Sequence, residues 1–149
     1  MNFRKIIRED YKALSEYYRA NETHFKPWQP KTDFGYHDEC RWQSRIEDYL
    51  IAQMTGTCFY FVAVERGKVV GNCTLSQISR GPFQACYIGY GVCHSVQGKG
   101  VATALVSHTL KFAFERLKLN RVMANYMPRN ERSGRLLRRL GFQVEGYAR

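Results

Sequence analysis

The order of apolar and polar residues along the chain predicts alternating helices and strands. Apolar residues at helical spacing follow Asp10, which stands where a helix N-cap is expected, and this first helix ends near Asn21. A second helix is predicted over about residues 38–54. The stretch between them, NETHFKPWQPKTDFGYHDE, is predicted to be a long loop, because it is polar and carries two prolines around Trp28.

The middle of the chain has the residue pattern of strands. The stretch TCFYFVAVERGKVVGNCTLSQI is rich in β-branched and aromatic residues and is interrupted at Arg66-Gly67, which predicts a hairpin of two antiparallel strands. A third strand is predicted in ACYIGYGVC. Its glycines, Gly89 and Gly91, indicate a bulge or a place where another group approaches the backbone.

The last third of the chain predicts two helices and two strands. One helix starts at Gly100 and ends near Lys118, a short strand follows in RVMANYM, and NERSGRLLRRLGF forms a helix with Gly141 as its C-cap. The stretch FQVEGYAR is predicted to begin a final strand, with no partner strand after it. We therefore expect a truncated chain whose open strand edge is frayed or pairs with a second copy in a dimer.

The composition narrows the class of protein. Of the 149 residues, 44% are hydrophobic and 14% aromatic, and no apolar run approaches the ~18 residues that a membrane span needs. We expect one soluble domain over residues 1–149, with no membrane partner. Because MNFRKIIREDYK lacks the apolar centre of a signal peptide, we expect a cytoplasmic protein. The five cysteines form no C-x-x-C pair and indicate neither a zinc site nor a disulfide framework.

The charge indicates an anionic partner without identifying it. Lys and Arg number 23 against 13 Asp and Glu, which gives a net charge of +10 at pH 7. A nucleic acid, a phosphorylated cofactor or an acidic protein would each match this charge. A nucleic-acid-binding or ribosome-binding module is thus one alternative. Against it, the aromatic residues are not interleaved with basic ones, and no nucleic-acid motif is present.

The segment SVQGKGVATALVSHTL joins the third strand to a helix through a loop that contains Gly98 and Gly100. A helix start presents unpaired backbone amides and a partial positive charge, and glycine lets a phosphate approach those amides. Two interpretations stay open on these residues alone: an anion site, or only a tight turn. The G-x-x-x-x-G-K-[ST] loop is absent, and G-x-G-x-x-G fails at Thr103.

Three stretches of the chain resemble those of a known family. Gln97, Gly100 and Ala102 match the [RQ]-x-x-G-x-[GA] pyrophosphate loop of the GNAT N-acetyltransferases. ANYMPRNERSGRLLRRLGFQVEGYA resembles the second signature of the ribosomal-protein-alanine N-acetyltransferase branch (the RimJ/RimL type), and FKPWQP resembles its substrate-side loop. The resemblance spans nearly the whole chain. It implies an α+β fold, in which helices flank a mixed, mainly antiparallel sheet that lacks its final strand.

The resemblance implies an enzyme that moves the acetyl group of acetyl-CoA directly to a primary amine, without a metal. The backbone around Val92 would bind the pantetheine arm where two parallel strands separate. Asn130 would contact the arm near the thioester, and its alternative role as an N-cap is compatible with this. The pyrophosphate would be bound by the loop residues Gln97, Gly98, Lys99, Gly100, Val101, Ala102 and Thr103.

Acetylation of an amine needs a neutral amine, a polarised thioester carbonyl and in some cases an acid for the departing thiolate. The resemblance gives the role of base, acting through water, to Glu145, and an exposed strand glutamate is the alternative. Ser133 follows Asn130 by three residues on the same helical face and is the candidate donor to the thiolate. Many GNAT enzymes have a tyrosine acid where this chain has Leu137, so the acid stays open, with Tyr126 nearby in sequence.

The implied acceptor is a protein N-terminal amine, in particular the N-terminal alanine of a ribosomal protein, with Trp28 as a wall of the acceptor groove. A polyamine or small amine is one alternative, and a non-catalytic acyl-CoA sensor is another. Cys93 lacks a spaced histidine partner, so an acyl-cysteine intermediate is not expected. The arginines on one face of the last helix either meet the ribose phosphate or are solvated: Arg132, Arg135 and Arg139.

Overall fold

The computed structural model describes residues 1–147, which contain a five-stranded sheet with the strands in chain order. The strands are β1 (Asn2–Lys5), β2 (Phe59–Glu65), β3 (Lys68–Ser79), β4 (Ala85–Val92) and β5 (Arg121–Ala124). The first four strands pair antiparallel, and β5 pairs parallel to β4. The predicted mixed, mainly antiparallel sheet is therefore confirmed.

Helices cover both faces of this sheet. They are α1 (Tyr11–Ala20), α2 (Glu22–Phe25), α3 (Glu39–Thr55), α4 (Val101–Lys111) and α5 (Glu131–Arg139). On one face, Leu14 of α1 and Ile46 of α3 share an apolar cluster. On the other face, Leu105 of α4 and Leu136 of α5 share a second cluster. Burial of these apolar faces against the sheet is the main stabilising contribution. Within residues 1–147, no helix has both the length and the apolar character needed to cross a bilayer.

The hairpin and the first two long helices form where the sequence predicted them, whereas the helix predicted from Gly100 to Lys118 ends at Lys111 and is followed by a wider π-helical segment, Phe112–Arg116. Arg66 and Gly67 join β2 to β3 with φ of 52° and 76°, the pair of left-handed residues that a type I′ turn requires. Asp10 precedes α1 as predicted, but its carboxylate does not cap that helix. It accepts a hydrogen bond from the Ile7 amide at 2.8 Å and pairs with Arg4 at 2.7 Å.

Two of the predicted elements are wrong. The long loop after Asn21 contains the short helix α2, because Phe25 packs against Tyr17 with ring centroids 5.4 Å apart and so anchors an otherwise polar stretch. The final strand predicted in FQVEGYAR is not formed by residues 142–147. A strand exists only where a neighbour pairs with its backbone, and none does so here. The last two positions of that prediction, Ala148 and Arg149, lie outside the described residues.

Candidate active site

Strands β4 and β5 separate after four residue pairs. Their pairing runs from Ala85 with Arg121 to Ile88 with Ala124, whereas β4 continues to Val92. No strand of the described part of the chain pairs with β4 on the β5 side beyond Ile88. The backbone groups along this edge face the separation and can hydrogen-bond a ligand that enters it, and at Val92 the ligand would replace a hydrogen bond with the His24 side chain.

The two glycines of β4 have different roles. A Cβ on Gly91 would lie 3.3 Å from both Asn72 Oδ1 and the Tyr17 hydroxyl, which are hydrogen-bonded to each other at 2.8 Å. The close approach at Gly91 is therefore the packing of α1 on the sheet. A Cβ on Gly89 would meet nothing within 4 Å, so Gly89 leaves space open at the strand separation.

The loop between β4 and α4 has the geometry of an anion cradle. Gly98 and Gly100 have φ of +78° and +79°, a region that side-chain-bearing residues rarely adopt, and a Cβ on either would meet nothing within 4 Å. No side chain caps α4, which starts at Val101. The first amides of α4 thus stand beside open space at the positive end of the helix, where a phosphate group fits.

The remaining residues of this loop differ in how far their side chains are exposed to solvent. Val101 is buried, and Ala102 is partly buried against the core, so each can offer a ligand its backbone amide more readily than its side chain. Lys99 is exposed, and Gln97 and Thr103 are half-buried. The predicted loop therefore combines backbone donors from the buried residues with one free ammonium group.

The start of α5 is brought against the free part of β4. Asn130 caps the helix, since its side-chain oxygen accepts a hydrogen bond from the Ser133 amide at 3.2 Å. The Ser133 hydroxyl lies 2.5 Å from the hydroxyl of Tyr90 on β4. Tyr90 was not among the residues predicted from the sequence, although its alternation with Ile88 and Val92 places it on the α5 side of the sheet.

Neither the position of the tyrosine acid of many relatives nor the nearby Tyr126 supplies an acid at this contact. Leu137 is buried in the core beneath α5. The ring of Tyr126 lies against Gly134, where a Cβ would come within 3.0 Å of it, and its hydroxyl accepts a long hydrogen bond from Arg138 at 3.5 Å. Neither residue shares the contact between Ser133 and Tyr90.

Glu145 is not brought to the strand separation. It is exposed and forms an ion pair with Arg121, the first residue of β5. The separation opens beyond Ala124, three residues further along β5 and on the order of 10 Å away. The expectation that a strand would direct Glu145 toward the thioester is therefore wrong, because residues 142–147 form no strand.

Trp28 lies beside the segment that leads into α5. Its side chain is 39% exposed, and the guanidinium of Arg129 lies 5.7 Å from its ring centroid. Arg129 also donates a hydrogen bond to the Pro27 carbonyl at 3.3 Å. Arg129 thus joins the predicted substrate-side loop to the start of α5, a link that the sequence analysis missed.

Cys93 and two histidines surround the end of β4. Burial raises the pKa of the Cys93 thiol, and a hydrogen bond from Asn21 lowers it by less. A protonated thiol is a weak nucleophile, in keeping with the expectation of no acyl-cysteine. The rings of His24 and His94 are 5.1 Å apart. Burial lowers the pKa of His24, and the neighbouring His94 lowers it further.

A cavity of about 420 Å³ opens where β4 and β5 separate. Gln77 stands on its wall with φ of 51°, in a bulge between β3 and β4. The side chains that line this cavity are mostly hydroxyl and amide groups, and none is a carboxylate. The lining residues are Ser76, Gln77, Tyr87, Ile88, Gly89 and Asn125. A second cavity of about 380 Å³ lies between α1 and the end of β4 and includes Cys93 and His94 in its lining.

The basic residues on the outer face of α5 are solvated. Arg132, Arg135 and Arg139 are exposed on α5, and Arg135 lies 3.8 Å from Glu131 one turn earlier. Within residues 1–147, His, Cys, Asp and Glu side chains form no group of three or more that could hold a metal ion.

Known proteins are similar to this chain in sequence and in fold. The family model described as an acetyltransferase (GNAT) domain matches residues 1–143. The chain is 36% identical to the [Ribosomal protein uS5]-alanine N-acetyltransferase of Escherichia coli (strain K12) over 148 residues, which cover 98% of this chain and 76% of that protein.

Two solved structures superpose closely. The ribosomal-protein-S5-alanine acetyltransferase of Vibrio fischeri is 34% identical with a TM-score of 0.94, and the match covers 97% of this chain and 80% of that one. Mycobacterium smegmatis RimJ in complex with CoA-disulfide is 30% identical with a TM-score of 0.91, over 97% of this chain and 70% of that one. Family model, sequence and fold agree, and the chain belongs to the GNAT acetyltransferase family as an N-acetyltransferase.

Proposed function

We propose that this enzyme transfers the acetyl group of acetyl-CoA directly to the N-terminal amine of a protein, with the N-terminal alanine of a ribosomal protein as the acceptor. The observation that carries the proposal is the opening between β4 and β5 next to the glycine cradle at Gly98 and Gly100. Its relative in Escherichia coli is named for acetylation of an alanine of ribosomal protein uS5. We further propose that residues 1–149 act as one cytoplasmic domain.

The cofactor fits the residues that the chain offers. The loop from Gln97 to Thr103 would hold the pyrophosphate, chiefly through the amides at the start of α4, because those of Gln97 and Lys99 already donate to the carbonyls of His94 and Val96. The edge of β4 around Val92 would hold the pantetheine arm. Asn130 would contact the arm from the start of α5. When bound, acetyl-CoA supplies the acetyl group as an activated thioester, and the residues of the chain then position the acceptor and the protons.

The proton roles fall to Ser133 and Glu145. The Ser133 hydroxyl lies at the first turn of α5, beside the free part of β4, where it can donate a hydrogen bond to the leaving sulfur. Glu145 is the proposed base and would act through water. In the structure it pairs with Arg121 away from the strand separation, so this role requires residues 142–147, which form no strand, to move toward the thioester. The exposed ion pair contributes little to stability and opposes that movement only weakly.

The cavity at the strand separation favours a peptide over a polyamine. Its hydroxyl and amide side chains, among them Ser76, Gln77 and Asn125, can hydrogen-bond the backbone of an N-terminal peptide. A polyamine carries several positive charges and needs carboxylates, which this lining does not provide. The net charge of +10 also repels a polycation.

A free-thiol assay with defined acceptors tests the proposal. A short peptide that begins with alanine is compared with the same peptide blocked at its N-terminus and with spermidine, all in the presence of acetyl-CoA. We expect thiol release and N-terminal acetylation with the first peptide only. A higher kcat/KM for spermidine would establish the polyamine alternative, and binding of acetyl-CoA without transfer to any amine would establish the sensor.

A further inference from the structure

A hydroxyl pair links the free part of β4 to the start of α5. The hydroxyls of Tyr90 and Ser133 are 2.5 Å apart, and the Tyr90 hydroxyl also lies 3.4 Å from the Ser133 carbonyl. Tyr90 belongs to the part of β4 that extends past its last pair with β5. The contact is therefore made at the strand separation, between residues 43 positions apart in the sequence.

Either hydroxyl of this pair can donate, and Tyr90 is able to do so because its phenol is protonated. Burial raises the pKa of the Tyr90 phenol, Ser133 lowers it by less, and Cys73 on β3 raises it slightly. The phenol therefore keeps its proton at neutral pH. When Tyr90 donates to the Ser133 oxygen, the proton of Ser133 is free to point to another acceptor. The Ser133 amide is already bound by Asn130, so the residue is fixed at two points.

We propose that Tyr90 is a positioning residue that holds the Ser133 hydroxyl as a hydrogen-bond donor to the sulfur of the leaving thiolate. The inference rests on the proposed acetyl transfer and deepens it. Each of the two hydroxyls keeps its own proton, and the pair acts by stabilising the charge that develops on sulfur. Donation by Tyr90 strengthens donation by Ser133, since linked hydrogen bonds polarise one another.

The pair also explains how the enzyme works with Leu137 in place of a tyrosine on α5. Leu137 is buried in the core, and the Tyr126 hydroxyl is bonded to Arg138. Tyr90 instead brings a phenol from β4 to the first turn of α5, at Ser133. Its hydroxyl acts through Ser133 rather than on the sulfur itself.

Tyr90→Phe is the central variant, because it removes the phenol oxygen and keeps the ring in place. We expect kcat to fall about tenfold and the KM for acetyl-CoA to change less than about twofold, as for an interaction made mainly in the transition state. Ser133→Ala should give at least the same loss, and the double variant should lose no more than Ser133→Ala, because the two act as one unit. Ser133→Thr keeps a hydroxyl and should recover most of the rate.

A binding measurement separates this role from a structural one. Isothermal titration compares CoA with desulfo-CoA, which lacks the sulfur, at a pH of about 8.5, where thiols begin to ionise. We expect the wild-type enzyme to prefer CoA and Tyr90→Phe to reduce that preference about fivefold, as for loss of support to a charged acceptor. Tyr126→Phe is the matched control, since it removes a phenol oxygen beside the same helix and should leave the preference unchanged.

The outcomes separate this inference from the proposed function. If Tyr90→Phe keeps the wild-type kcat and the wild-type preference for CoA, the positioning role is wrong while acetyl transfer stands. If the wild-type protein transfers no acetyl group, the proposed function fails first. Should Tyr90→Phe fold poorly, Ser133→Ala decides by the same two measurements, and an unchanged preference for CoA there overturns the inference.

Discussion

The side-chain oxygen of Asn21 accepts a hydrogen bond from the backbone amide of His94 at 3.0 Å. The same side chain donates to the Tyr17 carbonyl at 2.8 Å and to the Cys93 sulfur at 3.2 Å. Asn21 is buried at the end of α1, whereas His94 opens the segment that leads into the glycine cradle. The first helix therefore fixes the position of the loop that we propose to bind the pyrophosphate.

Asn21→Ala should destabilise the protein and weaken cofactor binding together. Three hydrogen bonds are lost and a buried amide loses its partner, which typically costs about 1–3 kcal/mol. Urea denaturation measures the free energy of unfolding, and titration measures the affinity for acetyl-CoA. Asn120→Ala is the control, since Asn120 is exposed. Equal stability of the two variants would contradict the structural role of Asn21.

Gly100→Val should abolish the rise in melting temperature that acetyl-CoA produces. A ligand that binds only the folded state stabilises it, and a β-branched side chain at Gly100 blocks the approach of the pyrophosphate to the amides of α4. Gly67→Val is a matched control, because Gly67 also has a left-handed φ, 76°, and open space, but belongs to the β2–β3 turn and not to the loop of residues 97–103. The loop is only a turn if both variants keep the full thermal shift.

Trp28→Ala should weaken use of the acceptor and leave the affinity for acetyl-CoA nearly unchanged. Trp28 and Arg129 stand together beside the start of α5, where we place a wall of the acceptor groove. The KM for an alanine-starting peptide and the Kd for acetyl-CoA are the two measurements. Phe34→Ala is the control, since Phe34 is fully exposed in the same loop. An equal loss of both affinities would make Trp28 a structural residue.

Glu145→Gln should lower the rate of acetyl transfer about a hundredfold at neutral pH, the usual scale for removal of a general base. The deficit should shrink as pH rises, because more of the acceptor amine is then already neutral. The affinity for acetyl-CoA should not change. Glu131→Gln is the control, since Glu131 is an exposed carboxylate in the first turn of α5. A wild-type rate and pH profile would assign the base role to bulk water.

Stability should fall as pH drops from about 8 to about 5.5, across the ordinary pKa of histidine. Burial lowers the pKa of His24 and of His37, and the neighbouring His94 and Arg45 lower them further. The unfolded chain therefore binds these protons more readily than the folded one, so acid favours unfolding.

The histidine variants test this sign directly. His37→Gln and His24→Gln should each reduce the dependence of the melting temperature on pH. Each variant is compared with the wild-type protein at pH about 8, where the histidines are neutral and any packing loss shows alone. A dependence that stays as steep in both variants would place the effect on other groups.

Local patterns in the sequence sufficed for much of the fold. The Arg66-Gly67 turn, the glycine loop and the Asn130 cap each depend on residues within a few positions of one another, and the structure has all three. The site contacts are different in kind. Tyr90 meets Ser133 from 43 positions away and Arg129 meets Pro27 from 102, which no local periodicity reveals.

The wrong predictions have the same physical origin. The helix α2 depends on the burial of Phe25 against α1, and the expected strand over residues 142–147 depended on a neighbour to pair with it. In both places, a distant partner decides the local structure. Local sequence propensity therefore predicts the positions of the long helices and strands better than those of the short ones.

The pairing of β4 with β3 lowers the entropy cost of binding a ligand along the opposite, unpaired edge of β4. Strand β3 pairs with β4 as far as Val92, opposite Gly71, so the edge that faces the separation is held extended by its neighbour. A preorganised edge loses little conformational freedom when a ligand arm lies along it, and only the arm itself must be ordered. Substitutions at Gly71 or Asn72 on β3 can thus change ligand affinity without touching the ligand.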